Sequence, residues 1–220
     1  METLSRKYIE SGKIPQDIKT GSLRQAPVKI MQFGEGNFLR AFVDWMVNRI
    51  NKEALFDGSV VVVQPLERGL ADMINAQDGL YTLYLRGIED GEVKVEKEII
   101  TVIKECLNPY EQWEKTVRYA VGEELEFVIP NTTDAGIESV EEDFVPGHCQ
   151  KTYPAKLTSL LYARYNAFSG AKDKGITVIP CELIDRNGDN LKKCVLEYVH
   201  YWNLGDGFEE WINSACAFLN

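Results

Sequence analysis

Val28-Lys29-Ile30-Met31-Gln32-Phe33-Gly34-Glu35-Gly36-Asn37-Phe38-Leu39-Arg40-Ala41-Phe42 is the stretch that decides the fold. A short apolar run leads into two glycines one residue apart, and an amphipathic pattern through Val43, Trp45, Met46 and Ile50 follows, to about Asn51. The order is strand, tight glycine turn, helix: the opening unit of a dinucleotide-binding fold. In such a unit Gly34 lets the chain turn sharply, and Gly36 has no side chain to keep a pyrophosphate from the backbone. Unpaired N–H groups of the first helical turn, at the positive end of the helix dipole, attract the phosphates. The third small residue of G-x-G-x-x-G falls on Leu39, and Ala41 is the nearest small residue able to bring the helix close to the sheet. Two glycines alone fit an ordinary strand-to-helix turn equally well, so the rest of the chain has to decide.

A chain of 220 residues suffices for one domain with a full core, or for two small ones. The net charge of −10 argues against nucleic acid or an anionic membrane as partner. No apolar run is long enough for a membrane span, and Glu2, Arg6, Lys7 and Glu10 occupy the place of a signal peptide's apolar core. The five cysteines are widely spaced without a C-x-x-C pair, which reads as reduced thiols of a cytoplasmic protein with no metal cage. Residues 1–27 are polar, with Pro15 and Pro27 bracketing the approach to the first strand; they read as an N-terminal extension, packed on the surface or partly mobile.

Val60-Val61-Val62-Val63 suits a strand buried on both faces, as in a parallel sheet. It ends in Gln64-Pro65-Leu66-Glu67-Arg68-Gly69. An acidic residue at this strand end bonds the adenosine ribose and repels a 2′-phosphate, so Glu67 points to NAD, with Arg68 as the phosphate-binding alternative. Tyr81–Arg86 and Glu92–Ile103, joined by Asp90-Gly91, read as a β-hairpin inserted beside the main sheet. A helix through Trp113, Val117 and Ala120 is expected to open at Asn108-Pro109, and Leu125–Ile129 to form the next buried strand. That strand ends in Pro130-Asn131-Thr132-Thr133-Asp134-Ala135-Gly136. Asn131 and Thr132 are placed to bond the cofactor's ribose or nicotinamide side, or else to form a helix cap or Asx turn.

Further on, Pro154–Phe168 reads as a helix, Ile176–Ile179 as a strand, and Leu191–Tyr201 as a helix with Asn187–Asp189 as its turn and cap. Phe208–Leu219 reads as a last helix, whose stripe of Ile212, Ala215, Cys216, Phe218 and Leu219 should face another domain. His148 and His200 read as surface or packing residues, and Lys156 as a solvated lysine at a helix start. The pattern predicts an α/β, Rossmann-like, doubly wound and mostly parallel sheet over residues 28–220, with helices on both faces and an inserted hairpin.

Three strand ends thus carry Gln-Phe-Gly-Glu-Gly-Asn-Phe-Leu-Arg-Ala, Asn-Thr-Thr-Asp-Ala-Gly and Pro-Cys-Glu-Leu-Ile-Asp-Arg-Asn-Gly. Together with the Val-Val-Val-Gln-Pro-Leu run, they resemble the long-chain mannitol dehydrogenase family, and within it the tagaturonate reductases (altronate oxidoreductases). The resemblance covers nearly the whole chain from Val28. It implies an enzyme that moves a hydride between NAD and a sugar acid without a metal, from an N-terminal cofactor domain to a substrate held by a helical C-terminal domain. On this resemblance Phe33, Gly34, Gly36, Asn37 and Phe38 fall on the phosphate loop, with Gln64 and Glu67 at the next strand end. Asn131 and Thr132 fall under the nicotinamide ribose, and Glu182 and Asn187 line the substrate side.

The resemblance also has gaps. Family polyol dehydrogenases carry an asparagine where this chain has Leu183, so that role does not transfer. Pro130 stands where related chains often have a small polar residue. Members are roughly twice as long, and their general acid/base is a lysine of the C-terminal domain, so no catalytic residue is expected here. The chain reads as a fragment that binds cofactor without turnover. Fructuronate reductase or a polyol 2-dehydrogenase are the near alternatives. A non-catalytic nucleotide-binding module and a methyltransferase, whose first strand also ends in Gly-x-Gly, are the distant ones.

Overall fold

The structure, a computed structural model, describes residues 3–132 and 136–220. The chain begins with α1 (Arg6–Glu10), β1 (Lys19–Thr20), β2 (Val28–Phe33), α2 (Asn37–Ala41), α3 (Val43–Lys52), β3 (Ser59–Val63) and α4 (Ala71–Asn75). The hairpin β4 (Tyr81–Glu89) and β5 (Glu92–Ile100) follows, then β6 (Ile103–Leu107), α5 (Trp113–Ala120) and β7 (Phe127–Pro130). It closes with α6 (Tyr153–Ala167), β8 (Thr177–Val178), α7 (Asn187–Tyr201), α8 (Asp206–Ala215) and β9 (Ala217–Phe218).

Six strands form one parallel sheet in the order β6-β3-β2-β7-β8-β9, so the chain winds outward in both directions from β2. That is the doubly wound Rossmann order, with its reversal point beside the first strand. Period-two alternation divides the apolar residues between two cores. Met31, Phe33, Val61 and Val63 meet α5, α6, α7 and α8, whereas Ile30, Val60 and Val62 meet α2, α3 and α4. All four valines of β3 are fully buried, as a strand covered on both faces requires.

The hairpin forms a separate sheet, and β1 joins it: Lys19 pairs with Glu98 and Thr20 with Ile99, in parallel. The polar extension is therefore packed along this stretch. Glu98 is buried and takes a bond from Asn48 and ion pairs from Lys52 and Arg49, which fastens the small sheet to α3.

Several expectations are corrected. The first helix is split at Phe42 (φ −111°, ψ −73°), and the face α3 buries is Val43, Asp44, Val47 and Asn48, while Met46 is exposed. Leu39, not Ala41, lies under the sheet; Ala41 is exposed. The strand expected over Glu92–Ile103 breaks at Thr101-Val102, and Ile103–Leu107 crosses into the main sheet beside β3. The helix expected from Asn108 begins only at Trp113, after a turn in which Tyr110 N donates to Asn108 Oδ1 (3.1 Å). Asn187–Asp189 form the first turn of α7 itself, behind Arg186 in the left-handed region (φ 49°). The last helix stops at Ala215, Cys216 turns extended, and β9 adds the sixth strand. Ile212 and Cys216 are thereby buried in the domain's own core, so the stripe expected to face elsewhere is mostly consumed at home.

Arg164 holds the α5–α8 core together. Only 2% exposed, it donates to Ala120 O (2.8 Å), Gly122 O (2.7 Å), Leu125 O (3.1 Å) and Lys174 O (2.7 Å). It ties the end of α5 to the start of β7 and to the turn before β8. Replacing it by Met strips four carbonyls, two buried and two partly buried, of their donor; Arg164→Met should lower unfolding free energy by about 3 kcal/mol, read by urea denaturation.

Candidate functional site at the carboxyl edge of the sheet

Parallel strands place all their carboxyl ends on one edge, and ligands of open α/β sheets bind where the strand order reverses. Here that point is the end of β2, between β3 and β7. Gly34 lies there with φ +124°, and a Cβ on it would stand 2.8 Å from Asn131 O. Its N–H donates to Val63 O (3.0 Å), and Asn131 N donates to Phe33 O (2.8 Å), so three strand ends are laced together under the turn. Gly36 has an ordinary φ of −69°, is exposed, and a Cβ on it meets nothing within 4 Å. The crest Gly36-Asn37-Phe38 thus presents open space above the first-turn amides, which an α-helix leaves without internal partners. Phe38 is exposed and stacks on Phe42, centroids 5.5 Å apart.

The other residues singled out in the sequence fall into two groups. Phe33 is fully buried, edge-on to the Tyr153 ring at 5.0 Å. Gln64 is buried too: its amide donates to Leu66 O (2.9 Å) and Glu67 O (3.0 Å) and accepts from Ala71 N (3.3 Å). It shapes the loop that carries Glu67, whose side chain is exposed. Glu35 reaches the same loop, accepting from Leu70 N (3.4 Å).

At the end of β7, Asn131 Nδ2 donates to Cys181 O (2.7 Å). Glu182, 6% exposed, accepts from Thr132 N (2.8 Å) and Thr132 Oγ1 (3.1 Å) on one oxygen and from Asn187 Nδ2 (2.9 Å) on the other. The side chains of Thr132, Glu182 and Asn187 are therefore brought together, facing one another, while that of Asn131 grips the neighbouring main chain. Thr133, Asp134 and Ala135 lie outside the described residues. Leu183 is 92% exposed, at the lip of this edge.

Lys156 is not the solvated lysine that its charge predicts. Lys156 is 1% exposed, donates to Lys151 O (2.5 Å) and sits over the Tyr110 ring at 5.0 Å. Burial holds its ammonium below the usual lysine range. It lines a cavity of about 230 Å³ with Pro65, Leu66, Thr132, Thr152 and Tyr153, between the loops that follow β3 and β7. The only sequence signal for its burial is its place inside the apolar stripe of α6. His148 and His200 are both exposed, and among the described residues no cluster of His, Cys, Asp and Glu is arranged to hold a metal. Among the described residues, no helix is long and apolar enough to cross a membrane.

Fold and edge together define a Rossmann domain with a glycine turn at its reversal point. The sequence model of the mannitol dehydrogenase Rossmann domain matches residues 28–220, and the chain belongs to the mannitol dehydrogenase family. Among curated relatives, the altronate oxidoreductase of Bacillus subtilis (strain 168) is 48% identical over 196 residues, 89% of this chain and 41% of that protein. The altronate oxidoreductase of Phocaeicola vulgatus is 47% identical over 202 residues, 90% of this chain and 42% of the relative. The chain therefore spans about two-fifths of the length of these relatives. Among solved structures, Pseudomonas fluorescens mannitol 2-dehydrogenase, in a ternary complex with NAD and D-mannitol, superposes with a TM-score of 0.81. The match is 21% identical and covers 99% of this chain and 46% of that one, a likeness of fold. A substrate-free D-sorbitol dehydrogenase gives 0.78, at 21% identity over 98% of this chain and 46% of its own.

Glu182 is the keystone of the β7 edge. Glu182→Ala leaves three donors without their buried acceptor and should cost about 2–3 kcal/mol. Amide exchange at Thr132 should accelerate together with that loss.

Proposed function

We propose that residues 28–220 are the cofactor domain of an NAD-dependent oxidoreductase, with residues 1–27 as an extension packed against the hairpin sheet. The reading's main support is the glycine turn itself: Gly34 at a positive φ and pressed against the end of β7, Gly36 open above it, at the reversal point of the sheet. When bound, the nicotinamide supplies or accepts the hydride. The main-chain amides from Glu35 to Phe38 would hold the diphosphate, and Glu67 on its exposed loop would face the adenosine ribose. Asn131 and Thr132 set the backbone beneath the nicotinamide ribose. Glu182 and Asn187 act on the substrate side by fixing that loop. Phe33 and Gln64 shape the floor rather than touch the ligand with their side chains.

The substrate pair is a keto-uronate and its aldonate, tagaturonate and altronate, a reading supported by altronate oxidoreductase relatives at 42–48% identity. Reduction of the carbonyl needs a proton donor beside the developing alkoxide. We assign it to a lysine of a C-terminal domain, which completes the cleft over this edge. Five free cysteines fit a reducing cytoplasm.

Calorimetry with NADH and with S-adenosylmethionine tests the cofactor assignment. The domain alone should take NADH at micromolar levels or weaker, about −8 kcal/mol or less favourable, since only half a cleft surrounds it. Gly36→Val, at a position with ordinary φ and free space, should leave thermal stability intact and weaken NADH by at least about tenfold. Unchanged affinity, or preference for S-adenosylmethionine, overturns the proposal.

A further inference from the structure

The loop after β3 is pinned by its main chain. Each carbonyl of residues 65–67 accepts from a side chain: Pro65 O from Tyr110 Oη (3.3 Å) and Leu66 O from Gln64 Nε2 (2.9 Å). Glu67 O accepts from both Gln64 Nε2 (3.0 Å) and Asn108 Nδ2 (3.3 Å). Gln64 belongs to the loop itself, whereas Asn108 and Tyr110 come from the next loop, after β6. The two loops start side by side because β6 pairs with β3, and Gln64 N donates to Leu107 O (3.0 Å). Loops after strands are commonly mobile. Here the backbone is held, and the side chains of Leu66 (67% exposed) and Glu67 stand outwards.

The gripping loop is anchored in turn. Asn108 Oδ1 accepts from Tyr110 N (3.1 Å) and Asn108 N donates to Gln112 Oε1 (3.1 Å), which fixes the turn before α5. Against the Tyr110 ring lies the buried ammonium of Lys156, 5.0 Å from the ring centre and itself donating to Lys151 O (2.5 Å). A cation at that distance over an aromatic face is attracted to it. The contacts run without a gap from α6 through Tyr110 to the carbonyl of Pro65, and they give the buried lysine a use: it seats the tyrosine.

We infer that Asn108 and Tyr110, seated on Lys156, are positioning residues that set the choice between NAD and NADP by holding the main chain under Glu67. The role rests on the NAD and Glu67 assignments above. A carboxylate keeps out a 2′-phosphate only if the loop that carries it cannot retreat from the added charge. With the carbonyls of residues 65–67 tied down, it cannot. Cutting the ties from the β6 loop frees the backbone to move away, so NADPH is admitted while NADH loses a preorganised partner.

Calorimetric titrations of NADH and NADPH into the native domain, Asn108→Ala/Tyr110→Phe and Glu67→Gln provide the test. The native domain should prefer NADH, and the double variant should lose about tenfold of that preference, with NADH bound more weakly and NADPH no more weakly than before. A merely structural contact weakens both coenzymes alike; that result, or an unchanged preference, overturns the inference. Tyr110→Phe alone removes one oxygen and leaves the ring on Lys156, so its expected loss of about threefold decides where the double variant does not fold. Lost preference in Glu67→Gln with full preference in the double variant counts against the positioning role alone. Full preference in Glu67→Gln removes the Glu67 assignment, and a native domain that takes neither coenzyme removes the NAD assignment; the positioning role falls with either.

Discussion

The carboxyl edge depends on one close approach: the main chain of Gly34 against the carbonyl of Asn131. Positive φ and a 2.8 Å limit on any Cβ exclude a side chain there for two separate reasons. That contact sets the height of the turn over the sheet. Everything around it is fixed by buried polar side chains gripping backbone. Gln64 shapes the loop beyond β3, Glu182 the loop beyond β7, and Gln32 the turn itself. The polar residues at this edge act mainly as scaffolding, and the crest of main chain from Gly36 to Phe38 is what remains for a ligand.

The two cores treat buried polarity differently. On the α5–α8 face Arg164 is bonded to four carbonyls, which offsets most of the cost of its burial. On the α2–α4 face Asp44 and Gln32 keep oxygens unpaired. A buried group without a partner costs on the order of 1–3 kcal/mol.

The sheet was legible because its strongest signals are local. Four consecutive valines and a glycine turn require nothing from distant sequence to be read. The misreadings share a physical cause, which is that neighbouring apolar residues hide a change of partner. Ile99-Ile100-Thr101-Val102-Ile103 is continuous in hydrophobicity, yet it leaves one sheet and enters another. Trp45 and Met46 suggested the inner face of the helix, but the break at Phe42 turns Asp44 and Asn48 inward instead. The two-residue strand β9 carries too short a pattern to be told from the end of a helix. Lys156 was read by its charge, whereas its position in the α6 stripe decided its burial.

The winding order has a consequence for synthesis on the ribosome. β2 is made early and β3 soon after, but Ile30 finds Phe127 only when the chain has nearly doubled back across the whole sheet. Until then one edge of the central strand stays open, and Gly34 has no Asn131 carbonyl to rest against. The turn at Gly34 is thus completed only once Asn131 has been made, and a nascent chain exposing that bare strand edge before then is open to misassembly.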